Sequence, residues 1–532
     1  MPTGGVPTAE ENEEKSMLYK LKPLTDRLPA VTRPEGHVHF RTKMMWIVLI
    51  LVLYFSMTNI VIYGLSTSQR VDLFAQYRAI LAGAQFSLMH LGIGPIVTGS
   101  IIMQLFTGAK IIRLNLKDDE DKAVYQGTQK LMVIIMIVVE SVPQVYGFMS
   151  PSTKFTAGMN GIFPGDGESV AKLLIVLQLF AGSYLVFLMD EVVSKWGIGS
   201  GISLFIAAGV AQQIFTGSLN WHAANPVNPI STSNPPAGTI PKTIYLFHNL
   251  SASDMTSGGY ERIFLAQPNP MVALIGTIVI FLFVAYTESS RIELPLAHGG
   301  ARGARGRYPI KLIYASNIPV ILMAAVLANI SMFAMLFWTR LGNVPVLGHS
   351  TLLGYYDVGA TKPAGGLAYY LSSINGLSDW FLPLVSPAYL QSYQTTYPGK
   401  TSLQITLHVL AYVGVMIGGS VLFARFWIET TNMGPEAVAE QIESSGMQIP
   451  GFRRDPRVMK RVLERYIPVV TIISGATVGA LASVADLIGT VGNASGTGVL
   501  LSVGIMIQLY DAIGREQMME MHPVLRGFFG GE

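Results

Sequence analysis

The sequence predicts an all-α membrane protein with ten transmembrane helices, and three observations lead to this prediction. Half of the 532 residues are apolar and only 13% are charged, whereas soluble domains carry about 25% charged residues. The mean hydropathy is +0.43. The apolar residues also cluster in runs of about 20, the length that lets a helix cross the hydrocarbon core with its backbone satisfied.

The ten apolar runs follow one another along the whole chain. The predicted spans are 44–65, 91–109, 128–149, 170–189, 200–217, 269–288, 312–338, 402–427, 467–488 and 495–515. The polar segment 1–43 predicts no cleavable signal peptide, so the first span is retained in the membrane. The long loops 218–268 and 339–401 are rich in Pro, Gly, Ser, Thr and Asn, and we expect them to form caps rather than separate domains.

The distribution of positive charge predicts the orientation of the spans. With a cytoplasmic N-terminus, 27 of the 36 Lys and Arg residues fall in cytoplasmic segments. The opposite orientation would invert this bias, contrary to the positive-inside rule. Both termini are therefore predicted to lie in the cytoplasm.

The number of spans predicts two inverted halves of five helices each. Five is odd, so the second half starts on the opposite side of the membrane from the first, as in inverted-repeat proteins whose pathway lies between the halves. The predicted organisation is a cytoplasmic segment 1–43, an N-terminal half 44–217, an external loop 218–268, a C-terminal half 269–515 containing the external loop 339–401, and a cytoplasmic tail 516–532.

Segment 69–89 is too polar to span the membrane, although it is moderately apolar. It carries Arg70, Asp72 and Arg78. It is either an external amphipathic loop or a short re-entrant helix in a water-filled cavity, where charge and irregular backbone are tolerated.

Few ionisable residues lie within the predicted spans. The clear intramembrane ones are Glu140 in the third span and His408 in the eighth, and Asp486 lies at the end of the ninth. Ion-coupled carriers and pumps usually keep several such groups at membrane depth. A secondary transporter of a small solute remains an alternative, and an intramembrane enzyme would need a polar catalytic pair that the sequence does not offer. His37 and His39 have no companion ligands, and the chain contains no cysteine, so we predict no metal and no cofactor.

Seven blocks of sequence resemble the SecY family of protein translocase channels, in its archaeal and eukaryotic branch. They are HLGIGPIVTGSIIMQL at 90–105, DEVVSKWGIGSGISLFIAAG at 190–209, RIELPLAH at 291–298, YPIKLIYASNIPVI at 308–321, FWIETT at 426–431, RYIP at 465–468 and GTGVLL at 496–501. The blocks occur in the family's order and run from the second span to the tenth.

The resemblance implies a non-enzymatic channel that conducts unfolded secretory chains and releases apolar segments sideways into lipid. It implies a constriction built from six aliphatic residues, which we call the ring residues: Ile93, Val97, Ile202, Ile206, Ile321 and Leu501. Two pairs of ring residues on the second and fifth spans have i, i+4 spacing, which puts each pair on one helix face. An aliphatic constriction excludes hydrated ions by dewetting.

The resemblance also implies a plug, a lateral gate and cytoplasmic contact loops. Segment 69–89 would be the plug helix, and Thr98, Glu140 and Asn329, here called the gate triad, would lie at the lateral gate. The residues implied to contact the ribosome are Arg302, Arg305, Arg307, Lys311, Arg453, Arg454 and Arg457.

The partners that the resemblance implies are small membrane subunits of the SecE/gamma type and the beta type, the ribosome, signal sequences, nascent chains and membrane lipid. The implied location is the cell membrane, with multiple passes.

Overall fold

Ten long helices dominate the structure, a computed structural model. It describes residues 17–70, 78, 80–108, 111–112, 114, 118–147, 149–225, 227–298, 305–311, 317–339, 348–357, 362–431, 433–444, 447–448, 456–492 and 494–521. The helices are α1 Phe40–Asn59, α2 Gly94–Gly108, α3 Asp119–Gly147, α4 Gly167–Trp196, α5 Gly201–Leu219, α6 Met271–Ser289, α7 Ile318–Thr339, α8 Ser402–Thr430, α9 Pro456–Ile488 and α10 Gly496–Met521.

Nine of these helices are long and apolar enough to cross a bilayer, counted over the described part of the chain. The exception is α2, whose 15 residues span about 22 Å at 1.5 Å per residue. The span predicted from residue 91 begins at Gly94, because the preceding residues form turns instead of helix. The all-helical, multi-span fold class is confirmed.

Several helices extend further than their apolar runs. α3 begins at Asp119 rather than 128, α9 begins at Pro456 rather than 467, and α10 continues to Met521 rather than 515. The added turns are polar, so a search for apolar runs detects only the part of each helix that needs lipid.

The plug helix predicted at 69–89 is not a helix in the part that the structure describes. Gln69 and Arg70 belong to strand β1 Leu65–Arg70, which pairs antiparallel with β2 Met149–Pro151. Residues 78 and 80–89 form turns, apart from an isolated bridge at Ser87, and residues 71–77 and 79 lie outside the described residues.

Three further strands form a sheet that joins two loops. Strands β3 Arg291–His298 and β4 Arg305–Lys311 make an antiparallel hairpin between α6 and α7. Strand β5 Met447–Gln448, from the segment between α8 and α9, pairs antiparallel with β3. The strand order is β4-β3-β5, so the two loops share one sheet.

Short helical elements occupy the N-terminal segment and the loops. They are Met17–Leu21, Lys22–Thr25, Thr153–Ile162, Thr239–Asn249, Ala252–Asp254, Met255–Gly259, Tyr260–Phe264, Leu367–Leu371, Leu377–Asp379, Phe381–Val385, Pro387–Thr396 and Pro435–Ser444.

The loop 339–401 is attached to the C-terminal end of α9. The Gly376 N–H donates to the Asp486 carbonyl at 2.8 Å, and Trp380 Nε1 donates to the Leu487 carbonyl at 3.0 Å. These bonds hold the described part of the loop against the end of α9.

The N-terminal segment is bonded to the end of α4. The Val31 N–H donates to Glu191 Oε2 at 2.8 Å, and Lys195 Nζ donates to the Val31 carbonyl at 2.6 Å. Trp196 Nε1 donates to the Thr32 carbonyl at 2.9 Å. The polar segment before α1 therefore lies against the bundle.

One hydrophobic cluster contains buried side chains from all ten long helices. Large apolar side chains on the outer faces are exposed, as on α6, where Leu282 is 63% exposed. An apolar interior combined with an apolar exterior is what a bundle surrounded by lipid requires.

Candidate functional site

The six ring residues belong to the hydrophobic cluster that all ten helices share. Five are buried, and Ile202 is half-buried and packs against the same cluster. By contrast, Phe215 on α5 is 66% exposed. The structure therefore brings aliphatic side chains from α5, α7, α10 and the start of α2 into one apolar region.

The turns before α2 are bonded directly to the first ring residue. The Ile93 N–H donates to the Leu81 carbonyl at 2.8 Å, and the Tyr54 hydroxyl of α1 donates to the Ala82 carbonyl at 3.0 Å. Gly92 has φ +55°, and a Cβ there would lie 2.1 Å from the Leu81 carbonyl oxygen. Only glycine fits this close approach without strain.

A buried arginine and a histidine hold these turns together. Arg78 Nη1 donates to the His90 carbonyl at 2.7 Å, and the Phe86 N–H donates to His90 Nδ1 at 3.0 Å. Nδ1 therefore carries no proton. Burial, together with the charge of Arg78, lowers the pKa of His90 well below its usual value. The neutral ring stays an acceptor.

The gate triad forms a continuous set of hydrogen bonds between three helices. Thr98 Oγ1 on α2 lies 2.8 Å from Glu140 Oε1 on α3, and Asn329 Nδ2 on α7 donates to Thr98 Oγ1 at 3.1 Å. Thr98 Oγ1 also lies 2.9 Å from the Gly94 carbonyl, so its one proton serves one of two acceptors. The bond from Asn329 connects α7 to α2.

The side-chain amide of Asn329 makes hydrogen bonds through only one of its two polar atoms. Its Nδ2 also donates to the Ala325 carbonyl at 3.0 Å, but its buried Oδ1 has no partner among the described residues. An unpaired buried acceptor costs about 1–3 kcal/mol. The closed contact between α2 and α7 therefore contains a destabilising group.

Contacts on either side of the gate triad continue the seam between α2 and α3 on one side and α7 and α8 on the other. Gln144 Nε2 on α3 lies 3.9 Å from Met332 Sδ on α7. A Cβ on Gly108 of α2 would lie 2.4 Å from Phe426 of α8. The helices of the seam are therefore in contact at three places: at the gate triad, at Gln144 and Met332, and at Gly108 and Phe426.

The predicted contact loops are only partly described. Arg305, Arg307 and Lys311 lie on β4, opposite Ala297, Pro295 and Arg291 of β3. Arg457 lies in the first turn of α9. Arg302, Arg453 and Arg454 lie outside the described residues.

Two aspartates, near the C-terminal ends of α4 and α9, bind the start of the following helix, a role that the sequence alone does not reveal. Asp190 Oδ1 in α4 accepts from the Ile202 N–H at the start of α5, at 2.9 Å. Asp486 Oδ1 in α9 accepts from the Thr497 N–H at the start of α10, at 3.0 Å. The available signal was an Asp ten or eleven residues before a Gly that opens an apolar helix, once in each half.

Comparison with known proteins gives consistent matches. The family model SecY matches residues 87–510, and the model for the plug domain of Sec61p matches residues 52–85. The chain is 44% identical to the protein translocase subunit SecY of Archaeoglobus fulgidus over 97% of this chain and 99% of that protein. It is 46% identical to that of Haloferax volcanii over 96% and 99%.

Solved structures match over nearly the same length. One described as "The structure of a protein conducting channel" is 37% identical, covers 94% of this chain and 98% of its own, and has a TM-score of 0.74. Another, "Sec61 in the Canine ribosome-channel complex from the endoplasmic reticulum", has the same identity and coverage with a TM-score of 0.71.

Proposed function

The chain belongs to the SecY family of protein translocase subunits, and from this premise we propose that its ring residues form the constriction of the protein-conducting channel. The observation that carries the proposal is the convergence of these aliphatic side chains from both halves on one apolar cluster. Aliphatic groups cannot replace the hydration shell of an ion, so an apolar constriction dewets and seals. They also offer a passing chain no hydrogen bonds to which it would stick.

The turns before α2 are proposed to be the part of the plug that rests on this constriction. Their support is the bond between Leu81 and Ile93, which joins plug and ring through the backbone. Displacing the turns must break this bond and the one from Tyr54.

The gate triad is proposed to hold the lateral gate closed. A hydrogen bond of this kind in a membrane contributes only about 0.6 kcal/mol on average. A signal sequence that buries apolar surface in the seam outweighs such a bond, because one buried leucine contributes about 1.5–3 kcal/mol. Weak polar contacts in an apolar seam thus suit a gate that opens for hydrophobic segments.

Cysteine crosslinking tests the constriction. The chain has no cysteine, so single cysteines at each of the six ring positions can be compared in an otherwise unreactive background. A stalled nascent chain carrying one cysteine should crosslink to all six positions. Phe215→Cys, on the exposed face of α5, is the matched control and should not react. Crosslinks at Phe215→Cys that equal those at the ring would refute the proposal.

The cytoplasmic loops are proposed to bind the ribosome, with both termini on the same side of the cell membrane. The support is the positive charge of these loops and the ribosome-bound state of the canine relative. Cationic side chains release counterions when they contact RNA phosphates. Arg453→Glu should weaken ribosome binding at matched salt more than it affects membrane insertion. Arg262→Glu, on the proposed external side, is the control, and equal binding by both variants would contradict the proposal.

The remaining partners are small membrane subunits of the SecE/gamma and beta types. The family relationship supports this proposal. Co-purification of a tagged chain with two small single-span proteins from its native membrane would test it.

A further inference from the structure

The start of α5 is held by a carboxylate from the preceding helix. Asp190 Oδ1 accepts from the Ile202 N–H at 2.9 Å, and Ile202 is itself a ring residue. A Cβ on Gly201 would lie 2.6 Å from the Asp190 Cα, so the close approach of the two helices requires glycine at this position. The first turn of α5 therefore cannot slide along α4 without breaking the bond.

The start of α10 is held in the same manner. Asp486 Oδ1 accepts from the Thr497 N–H at 3.0 Å, and Asp486 Oδ2 accepts from the Thr497 hydroxyl at 2.6 Å. A Cβ on Gly496 would lie 2.3 Å from the Asp486 backbone nitrogen. Here too, a glycine lets the carboxylate-bearing helix approach the helix that it caps.

The two arrangements occupy equivalent places in the two predicted halves. α5 is the fifth helix of the first half and α10 is the fifth of the second. Ile206 lies four residues after the capped Ile202, and Leu501 lies four residues after the capped Thr497. Each carboxylate therefore fixes the helix that carries a ring residue one turn further along.

The second carboxylate has one more partner. The Tyr412 hydroxyl of α8 donates to Asp486 Oδ2 at 2.7 Å. α8 contacts α2 through Phe426 at the gate seam. Asp486 thus joins a ring helix to a gate helix, whereas Asp190 joins α4 to α5.

We propose that Asp190 and Asp486 are the positioning residues of the constriction, each fixing the axial position of one ring helix, and that Asp486 also couples α10 to the gate helix α8. The inference rests on the proposed role of the ring residues. Asp486 is buried and Asp190 is half-buried. Carboxylates shielded from water are costly unless they are hydrogen-bonded, and both accept from backbone N–H groups at helix starts. A slip of one residue moves a ring side chain by about 1.5 Å along the axis.

The test is a helix-specific accessibility measurement on the full chain in membrane vesicles. Ile206→Cys and Leu501→Cys are each combined with Asp190→Ala or Asp486→Ala, which remove the acceptor, and the rate of modification by a charged thiol reagent is measured. Asp190→Ala should raise modification at position 206 about tenfold and leave position 501 unchanged, since loss of one charge-assisted bond changes an equilibrium by about that factor. Asp486→Ala should do the reverse.

Measuring both cysteine positions in each aspartate variant separates general destabilisation from a loss of positioning. A variant that merely loosens the fold exposes both cysteines equally, and that result would overturn the proposal, as would no change at either position. Tyr412→Phe removes the hydrogen bond from α8 to Asp486 Oδ2. It should lower the hydrophobicity that a signal needs while leaving position 501 protected, and an unchanged requirement would overturn the coupling to the gate.

A ring variant keeps this inference distinct from the proposed function. Leu501→Ser in the unmodified background should raise ion leak through the resting channel. If it does so while the aspartate variants leave both cysteines protected, the positioning role fails and the constriction stands. If Leu501→Ser causes no leak, the constriction itself fails.

Discussion

Replacing Asn329 by leucine should stabilise the closed gate. The change removes the bond from Nδ2 to Thr98, which is worth about 0.6 kcal/mol. It also removes the unpaired buried Oδ1, which costs about 1–3 kcal/mol in the closed state. Thr98 keeps Glu140 and the Gly94 carbonyl as acceptors, so the change leaves no new unpaired donor. The net effect is about 1 kcal/mol in favour of closure, or roughly fivefold in the open-to-closed ratio.

The assay is translocation of substrates whose signal sequences carry a graded number of leucines. Since one buried leucine contributes about 1.5–3 kcal/mol, a shift of about 1 kcal/mol corresponds to at most one leucine, so the threshold of the Asn329→Leu channel should rise, but by no more than one step of the series. Thr98→Ser retains the hydroxyl and is the matched control, with an unchanged threshold. A threshold for Asn329→Leu that is equal to or lower than that of the parent would refute the reasoning, because the unpaired Oδ1 would then carry no cost.

Two further predictions concern the plug and an external anchor. Gly92 has a left-handed backbone conformation, and Gly92→Ala places a Cβ 2.1 Å from the Leu81 carbonyl oxygen, so it should displace the plug turns and raise the resting ion conductance. Gly158→Ala, which has open space around it, is the control and should leave the conductance unchanged. Equal conductance of the two variants would contradict this prediction. Lys242 donates to the Ala266 carbonyl at 2.6 Å, and burial lowers its pKa from 10.5 to about 8. Between about pH 8 and pH 10.5 the unfolded state binds more protons at Lys242 than the folded state, so folding becomes more favourable as the pH rises. The melting temperature of the parent should therefore rise with pH relative to that of Lys242→Met. A difference in melting temperature that stays constant with pH would exclude the effect.

Composition was sufficient to predict the fold class, because the need to satisfy the backbone in lipid leaves few alternatives to apolar helices. Apolar runs located all ten helices, but they missed the polar extensions of α3 at Asp119 and α9 at Pro456. These turns are stabilised by contacts outside the lipid, and hydropathy does not register them.

The candidate site could be predicted only in part. Resemblance supplied all six ring positions and the gate triad, and spacing added only that Ile93 and Val97, and Ile202 and Ile206, would share a helix face; their roles remain predictions. The caps by Asp190 and Asp486 were not predicted, since a hydrogen bond between residues eleven or twelve apart leaves no periodic signal. The pairing of β5 with β3 is likewise a long-range backbone contact, which cannot be predicted from the sequence of either strand alone.

The sheet β4-β3-β5 makes the α6–α7 loop and the α8–α9 loop mechanically continuous. Tension applied to the hairpin between α6 and α7 passes through backbone hydrogen bonds into the connection between α8 and α9. A partner that binds either loop therefore acts on α6, α7, α8 and α9, and two of these helices, α7 and α8, border the seam. A large partner bound to these loops can thus change the contact between the helices of the seam without touching the seam itself.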